Sequence, residues 1–195
     1  MRHKGTKTLE TSRLLLRRIY KDDALEIYNG FINQEGLLYY LNKEKRTLEE
    51  EIASLEMIDE KNKRDDYYNW VITLKDTGKI IGMITLKVEE VNECVEATYA
   101  IDDRYCNRGY MSEALERVIK YSFEELLVNR FQTCCVVSNE ASRKVMEKCG
   151  MGLEGILRSY VILKDGYHDT YMYSIVRKDL VGDNDEAFQY LEENF

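Results

Sequence analysis

Proline is absent from the whole 195-residue chain. That excludes a collagen repeat, a polyproline ligand and a proline-stiffened linker. Histidine occurs only as His3 and His168. His3 sits close to a terminus that frays, so a His-built metal site is excluded and no metal is expected. The cysteines, Cys94, Cys106, Cys134, Cys135 and Cys149, are odd in number and contain no C-x-x-C. Neither a disulfide framework nor a zinc knuckle follows from them; reduced thiols, and with them a cytoplasmic location, are expected. The longest apolar runs, Leu14 to Leu16 and Ile80 to Ile84, fall far short of the roughly 20 residues that cross a bilayer. The basic start, Met1 to Lys7, leads into no apolar signal core. A soluble protein with no membrane partner is expected.

Lysine plus arginine amounts to 28 and aspartate plus glutamate to 36, a net charge of −8. That balance argues against direct nucleic-acid binding and suits a cationic partner. A hydrophobic content of 44% with 15 tyrosines fits a globular fold. At this length one domain over 1–195 is the expectation, burying about 70% of the unfolded chain's surface. Residues 179–195 carry six acids and no base, while residues 1–21 carry seven lysines and arginines and one acid. Both ends are read as solubilising tails.

Arg13 to Ile19 predicts a first strand, after which Asp22 and Asp23 open a helix carrying Leu25, Ile27, Tyr28 and Phe31. Thr47-Leu48-Glu49-Glu50 is a capping box for a second helix with Leu48, Ile52, Leu55 and Ile58 on one face. Tyr68 to Leu74 and Lys79 to Val88 form a hairpin across Asp76-Thr77-Gly78, and Cys94 to Ile101 alternates as a third strand. A helix after Gly109 has Met111, Ala114, Leu115, Val118, Ile119, Ser122 and Leu126 along one stripe. Phe131 to Val137 is a strand, Asn139 caps a short helix, and Gly150 stands where a C′ glycine would end it. Two last strands, Leu153 to Leu163 and Tyr167 to Val176, flank Asp165-Gly166, a type I′ turn signal. The order β-α-α-β-β-β-α-β-α-β-β implies an α/β (mixed α+β) single domain around one sheet.

The segment that carries chemistry runs from Tyr99 to Ala114. A strand enters a short loop, then Arg108-Gly109, then a helix. The first N–H groups of a helix lack intrahelical partners and lie at the positive end of its dipole, so this is a place for an anion. Gly109 lets backbone come close to a phosphate, and Arg108 adds charge. Neither G-x-x-x-x-G-K-[ST] nor G-x-G-x-x-G occurs in the chain. The alternative is a plain turn with an exposed arginine.

With those residues in place, the chain resembles the GNAT superfamily of N-acetyltransferases, and within it the Rim-type ribosomal-protein N-terminal (alanine/serine) acetyltransferases. Thr11-Ser12-Arg13-Leu14-Leu15-Leu16-Arg17 matches the opening T-x-R-L-x-L-R of that branch. Val95-Glu96-Ala97-Thr98-Tyr99-Ala100-Ile101 is similar to A-E-I-G-Y-x-I, and Cys106 to Ala114 fits W-G-K-G-Y-A-T-E-A loosely. Asn139 and Ser142 match N-x-x-S, Lys148, Gly150 and Met151 match K-x-G-F/M, and Gly166 with Asp169 partly matches G-x-x-x-D. The resemblance covers about 9–178. Three departures stand out. Met111 occupies a position where the superfamily has a small residue, which narrows the clearance for a cofactor. Met146 stands where many members carry a tyrosine acid. Asp102-Asp103-Arg104 replaces a proline that Rim-type relatives often have, so bound cofactor is expected to order residues 102–108.

The resemblance implies a mostly antiparallel mixed sheet of about seven strands with flanking helices, splayed where acetyl-CoA binds. It implies acetyl transfer to a primary amine, either a protein N-terminus or a small amine, by direct attack in a ternary complex. The alternative is a non-catalytic acyl-CoA-binding or regulatory module on the same fold. The cofactor arm is expected along Tyr99, Ala100 and Ile101, as an added strand would pair, and the pyrophosphate on the N–H groups of Arg108, Gly109, Tyr110, Met111 and Ser112. Asn139 either caps its helix alone or also meets the cofactor amide. Glu96, an acid in an otherwise apolar strand, is the candidate base, directly or through water; burial favours a carboxylate's neutral form, which suits that task. Its alternative is a solvated charge on the open face of the sheet. Ser142 is the candidate hydroxyl near the thiol, its alternative a helix-start serine bonded to backbone. Tyr99, Tyr105, Tyr110 and Tyr160 stay open as acids. A covalent route through Cys134 or Cys135 with His168 has no spacing in its favour. Monomer and homodimer both remain open.

Overall fold

Alternating and fully apolar runs become strands that join into one eight-stranded sheet in the computed structural model of the chain, which describes residues 1–181. The strands are β1 (Leu9–Glu10), β2 (Leu14–Arg18), β3 (Tyr68–Leu74), β4 (Ile80–Glu89), β5 (Cys94–Ile101), β6 (Arg130–Val136), β7 (Gly152–Leu163) and β8 (Gly166–Val176). They lie in the order β1-β2-β3-β4-β5-β6-β8-β7. Every neighbouring pair is antiparallel except β5 and β6. The helices are α1 (Ala24–Gly30), α2 (Glu35–Tyr40), α3 (Leu48–Lys61), α4 (Tyr110–Glu124), α5 (Glu140–Lys148) and α6 (Arg177–Val181).

The expected mixed, mostly antiparallel sheet is present, with eight strands rather than about seven. The extra one, β1, is two residues long and too short to leave a pattern in sequence. Helix α2 was also not foreseen, and the helix expected from Asp22 begins as a 3-10 turn over Lys21–Asp23 before α1. The Thr47–Glu50 capping box forms in both directions, at 3.2 and 2.8 Å. On α3, however, Ile52 is 40% exposed and Glu51 takes the inward position at 1% exposed. A buried carboxylate needs a partner, and Arg46 supplies it at 2.8 Å. The last hairpin turns through Lys164 and Asp165 rather than Asp165-Gly166, since Leu163 pairs with Gly166. Neither turn residue has a positive φ, so the turn is not type I′. The acidic tail expected over 179–195 falls mostly outside the described residues.

Two cores lie against the two faces. Trp70, Ile72, Ile84, Val95, Leu115, Val118 and Phe131 join α4 to one face, and every residue of the predicted α4 stripe is buried. Ile19, Ile27, Phe31, Leu55, Val71 and Ile80 pack α1 and α3 on the other. Because β5 alternates, Val95, Ala97, Tyr99 and Ile101 belong to the α4 face and Ala100 to the α1 face. Its register with β4 runs from Gly82↔Ile101 to Glu89↔Cys94 without a shift, so no bulge changes that facing.

The feature that positions the site is the parting of β5 from β6. They pair only at Cys94↔Arg130, Val95↔Phe131 and Glu96↔Gln132. The Thr133 hydroxyl donates to the Ala97 carbonyl at 2.8 Å just beyond. Thereafter β5 stays with β4 and β6 stays with β8. The inner edges of both strands open toward each other.

Candidate active site

A cleft of about 380 Å³ fills that opening. Tyr99, Ala100 and Ile101 line it from β5, and Gly109, Tyr110, Met111 and Ser112 from the start of α4. Asn139, Ser142 and Lys148 line it from α5, and Leu37 and Tyr40 from α2. Two helix N-termini, the positive ends of the helix dipoles, thus border one cavity.

The turn into α4 has the backbone that anion binding requires. Asn107 and Gly109 adopt φ of +59° and +77°, the left-handed region. Gly109 is the N-cap, and a Cβ there would stand 3.3 Å from Lys148 Nζ and 3.6 Å from Arg13 Nη2. Glycine both permits the conformation and leaves the cations room. Arg13 and Lys148 are functional candidates that no single motif flagged as charge. The expected cation, Arg108, is placed differently: its guanidinium lies 5.6 Å from the Tyr105 ring centroid, and its carbonyl accepts from Arg13 at 3.1 Å. Arg108 does not line the cleft, although the Tyr105 ring beside its guanidinium does. Met111 is 5% exposed and packs into the core, so most of its volume fills the core rather than the cleft.

Asn139 caps α5, its Oδ1 accepting from the Ser142 N–H at 3.1 Å. Ser142 therefore stands in the first turn, and its hydroxyl lies 2.7 Å from the Tyr99 hydroxyl. Burial pushes the Tyr99 phenol above its usual range, with the Ser142 hydrogen bond acting the other way. Tyr99 is thus a neutral phenol held against Ser142, which separates it from Tyr105, Tyr110 and Tyr160. Met146 is fully buried, so no acid acts from that position.

Glu96 occupies the last residue pair before the strands part and faces the side opposite Tyr99. It is half-buried, accepts from Gln132 Nε2 at 2.9 Å, and does not line the cleft. The base candidate and the Tyr99–Ser142 pair thus lie on opposite faces of the splay. Cys134 and Cys135 turn to opposite faces, as expected, and burial pushes each thiol up to about 11. His168 is paired with Asp165 at 2.8 Å. Nothing here activates a cysteine nucleophile.

Asp102 opens the loop after β5 and caps its 3-10 turn. Asp102 is fully buried and accepts from the Arg104 N–H at 3.0 Å, from the Arg104 guanidinium, and from Gln34 Nε2 at 3.0 Å. This network ties the start of the loop to Arg104 and Gln34 at the place where Rim-type relatives often have proline. Burial alone would raise the Asp102 pKa, but the Arg104 and Gln34 hydrogen bonds outweigh it and hold the carboxyl below the usual range. A carboxylate with a depressed folded-state pKa contributes stability above its unfolded value and loses it as pH falls through the folded one. The melting temperature is expected to fall as pH drops below about 5, and less so in Asp102→Asn. Identical slopes for both proteins would show that the charge contributes nothing.

Among the described residues, no helix is long and apolar enough to cross a membrane. Comparison with known proteins shows the family. The acetyltransferase (GNAT) domain family matches residues 13–152. The chain is 31% identical over 170 residues to the uncharacterized N-acetyltransferase YoaA of Bacillus subtilis, covering 87% of this chain and 96% of that one. It is 31% identical over 97 residues to the ribosomal-protein-serine acetyltransferase of Escherichia coli, covering 49% and 54%. A GNAT-family acetyltransferase structure from Bacillus anthracis superposes with a TM-score of 0.77 at 25% identity, covering 87% and 98%. The fold is shared with RimL, the ribosomal L7/L12 α-N-protein acetyltransferase in complex with coenzyme A, at a TM-score of 0.79 and 20% identity over 87% and 98% of the two chains. The chain belongs to the GNAT family and is an N-acetyltransferase.

Proposed function

We propose that this N-acetyltransferase takes its acetyl group from acetyl-CoA and delivers it to a primary amine by direct attack, with both substrates bound together. The observation that carries this reading is the opening between β5 and β6, bordered by the N-termini of α4 and α5. The residues present fit the donor. The inner edge of Tyr99, Ala100 and Ile101 is free of β6 and offers backbone groups to an extended amide chain. The turn through Gly109, Tyr110, Met111 and Ser112 offers N–H groups for a pyrophosphate. Arg108 contributes through its backbone, and Asn139 holds Ser142 in place.

Acetyl-CoA, when bound, supplies an activated thioester. Glu96 takes the proton that an ammonium must lose before its nitrogen can attack, from the face opposite Tyr99. Ser142 holds a hydroxyl proton at the α5 side of the cleft, with the Tyr99 phenol behind it at 2.7 Å. The acceptor is an amine on a protein N-terminus or a small molecule, and likeness to a ribosomal-protein-serine acetyltransferase supports the protein N-terminus.

CoA release with a panel of N-terminal peptides and small primary amines tests this. Turnover with at least one amine is expected; tight acetyl-CoA binding with no turnover on any would overturn amine transfer. Acetyl-CoA at 100 times its dissociation constant should stabilise the fold by about 2.7 kcal/mol, and an unchanged melting temperature would overturn the donor assignment.

A further inference from the structure

The opening motif, Thr11-Ser12-Arg13, is remote in sequence from the cleft and has no part in the chemistry above. It nevertheless converges on the first turn of α4. Glu113 Oε1 accepts from the Thr11 hydroxyl at 2.5 Å, the Ser12 hydroxyl at 3.1 Å and the Arg13 N–H at 3.0 Å. Its Oε2 accepts from Arg13 Nε at 2.6 Å. The same guanidinium donates through Nη1 to the Arg108 carbonyl at 3.1 Å and lies 4.3 Å from the Tyr110 ring centroid.

We infer that Arg13 is a positioning residue for the phosphate-binding turn, acting through the Arg108–Gly109 peptide and Glu113. The inference rests on the cleft being the acetyl-CoA site. Two physical effects carry it. The peptide is planar and trans, so fixing the Arg108 oxygen fixes the Gly109 N–H on its opposite side. A donor held in place before binding loses less freedom when the anion arrives. The second effect is charge. Glu113 puts a carboxylate in the turn whose positive end must attract phosphate, and Arg13 neutralises it. The motif thereby braces the anion site from the neighbouring edge of the sheet.

The test is a calorimetric comparison of CoA, dephospho-CoA and pantetheine binding to the full chain, as wild type, Arg13→Gln and Arg13→Lys. Arg13→Gln is expected to weaken CoA and dephospho-CoA about 10-fold and to leave pantetheine unchanged, since only the first two carry a pyrophosphate. Arg13→Lys keeps the charge but cannot fork to Glu113 and the Arg108 carbonyl together, so it is expected to show a smaller loss of the same pattern. Unchanged CoA affinity in both variants overturns the inference. So does an equal loss for all three ligands in Arg13→Lys, which would mark a general structural role. If Arg13→Gln loses pantetheine too, Arg13→Lys alone decides. A wild type that binds CoA no better than pantetheine would instead overturn the reading of the turn as a phosphate site.

Discussion

Replacing Glu96 by glutamine is expected to lower kcat about 100-fold or more while leaving acetyl-CoA affinity unchanged, the range that a positioned acid or base contributes. The substitution is close to isosteric, and its amide oxygen can still accept from Gln132 Nε2, which donates to Glu96 at 2.9 Å. The three residue pairs joining β5 to β6 should therefore survive, and with them the splay. What is lost is the ability to take a proton. A protein α-amine, with an ordinary pKa near 8, is mostly protonated at neutral pH, and a small alkyl amine more so, so the reaction then depends on the free-base fraction. The rate of Glu96→Gln should rise with pH toward that of the wild type as solvent removes the proton instead. Glu96 does not touch the cofactor cleft, so a change in KM for acetyl-CoA is not expected. An unchanged kcat would remove Glu96 from the reaction and leave it as a polar residue on the sheet, paired with Gln132.

Elements with a strong local signal were legible in the sequence. The α4 stripe, the Thr47 capping box and the Asn139 cap each depend on residues within a turn of one another, and all three formed. So was the turn into α4, because its demands are met by backbone and by Gly109 at φ +77°. What escaped was mostly long-range. Arg13 and Lys148 reach the same glycine from positions 96 residues before it and 39 after it, and neither carries a local sign of doing so. The Tyr99–Ser142 contact joins a strand to a helix start 43 residues later. Glu51 turned inward against the charge pattern of α3 because Arg46, outside the helix, compensates it. Asp102 stands where relatives often carry a proline, and its burial against Arg104 and Gln34 had no sign in the sequence. Each of these depends on specific side-chain pairing, near or far in sequence, which periodicity cannot report.

Gly82→Val is expected to destabilise the protein by about 2–3 kcal/mol, a fall of roughly 5–10 °C in melting temperature. It is also expected to weaken acetyl-CoA binding at least about 10-fold. The sign is diagnostic. In a strand interior valine is ordinarily favoured over glycine, by up to about 1 kcal/mol. Gly82 pairs with Ile101, and a Cβ there would stand 2.5 Å from the Ala100 carbonyl oxygen and 3.3 Å from the Ile101 Cα. Those are backbone atoms, so no rotamer change relieves the contact, and β5 must move. It would move at Ala100 and Ile101, where its other edge is free to pair with the cofactor arm. The Asp102 N–H, which donates to the Ile81 carbonyl at 2.8 Å, ties the same displacement to the loop before the phosphate turn. Fold and site are thus coupled through one absent methyl group: β4 can approach β5 closely only because position 82 has no side chain. A Gly82→Val protein with raised melting temperature and unchanged acetyl-CoA affinity would show that β5 has slack at this point, and that its exact path is not what admits the cofactor.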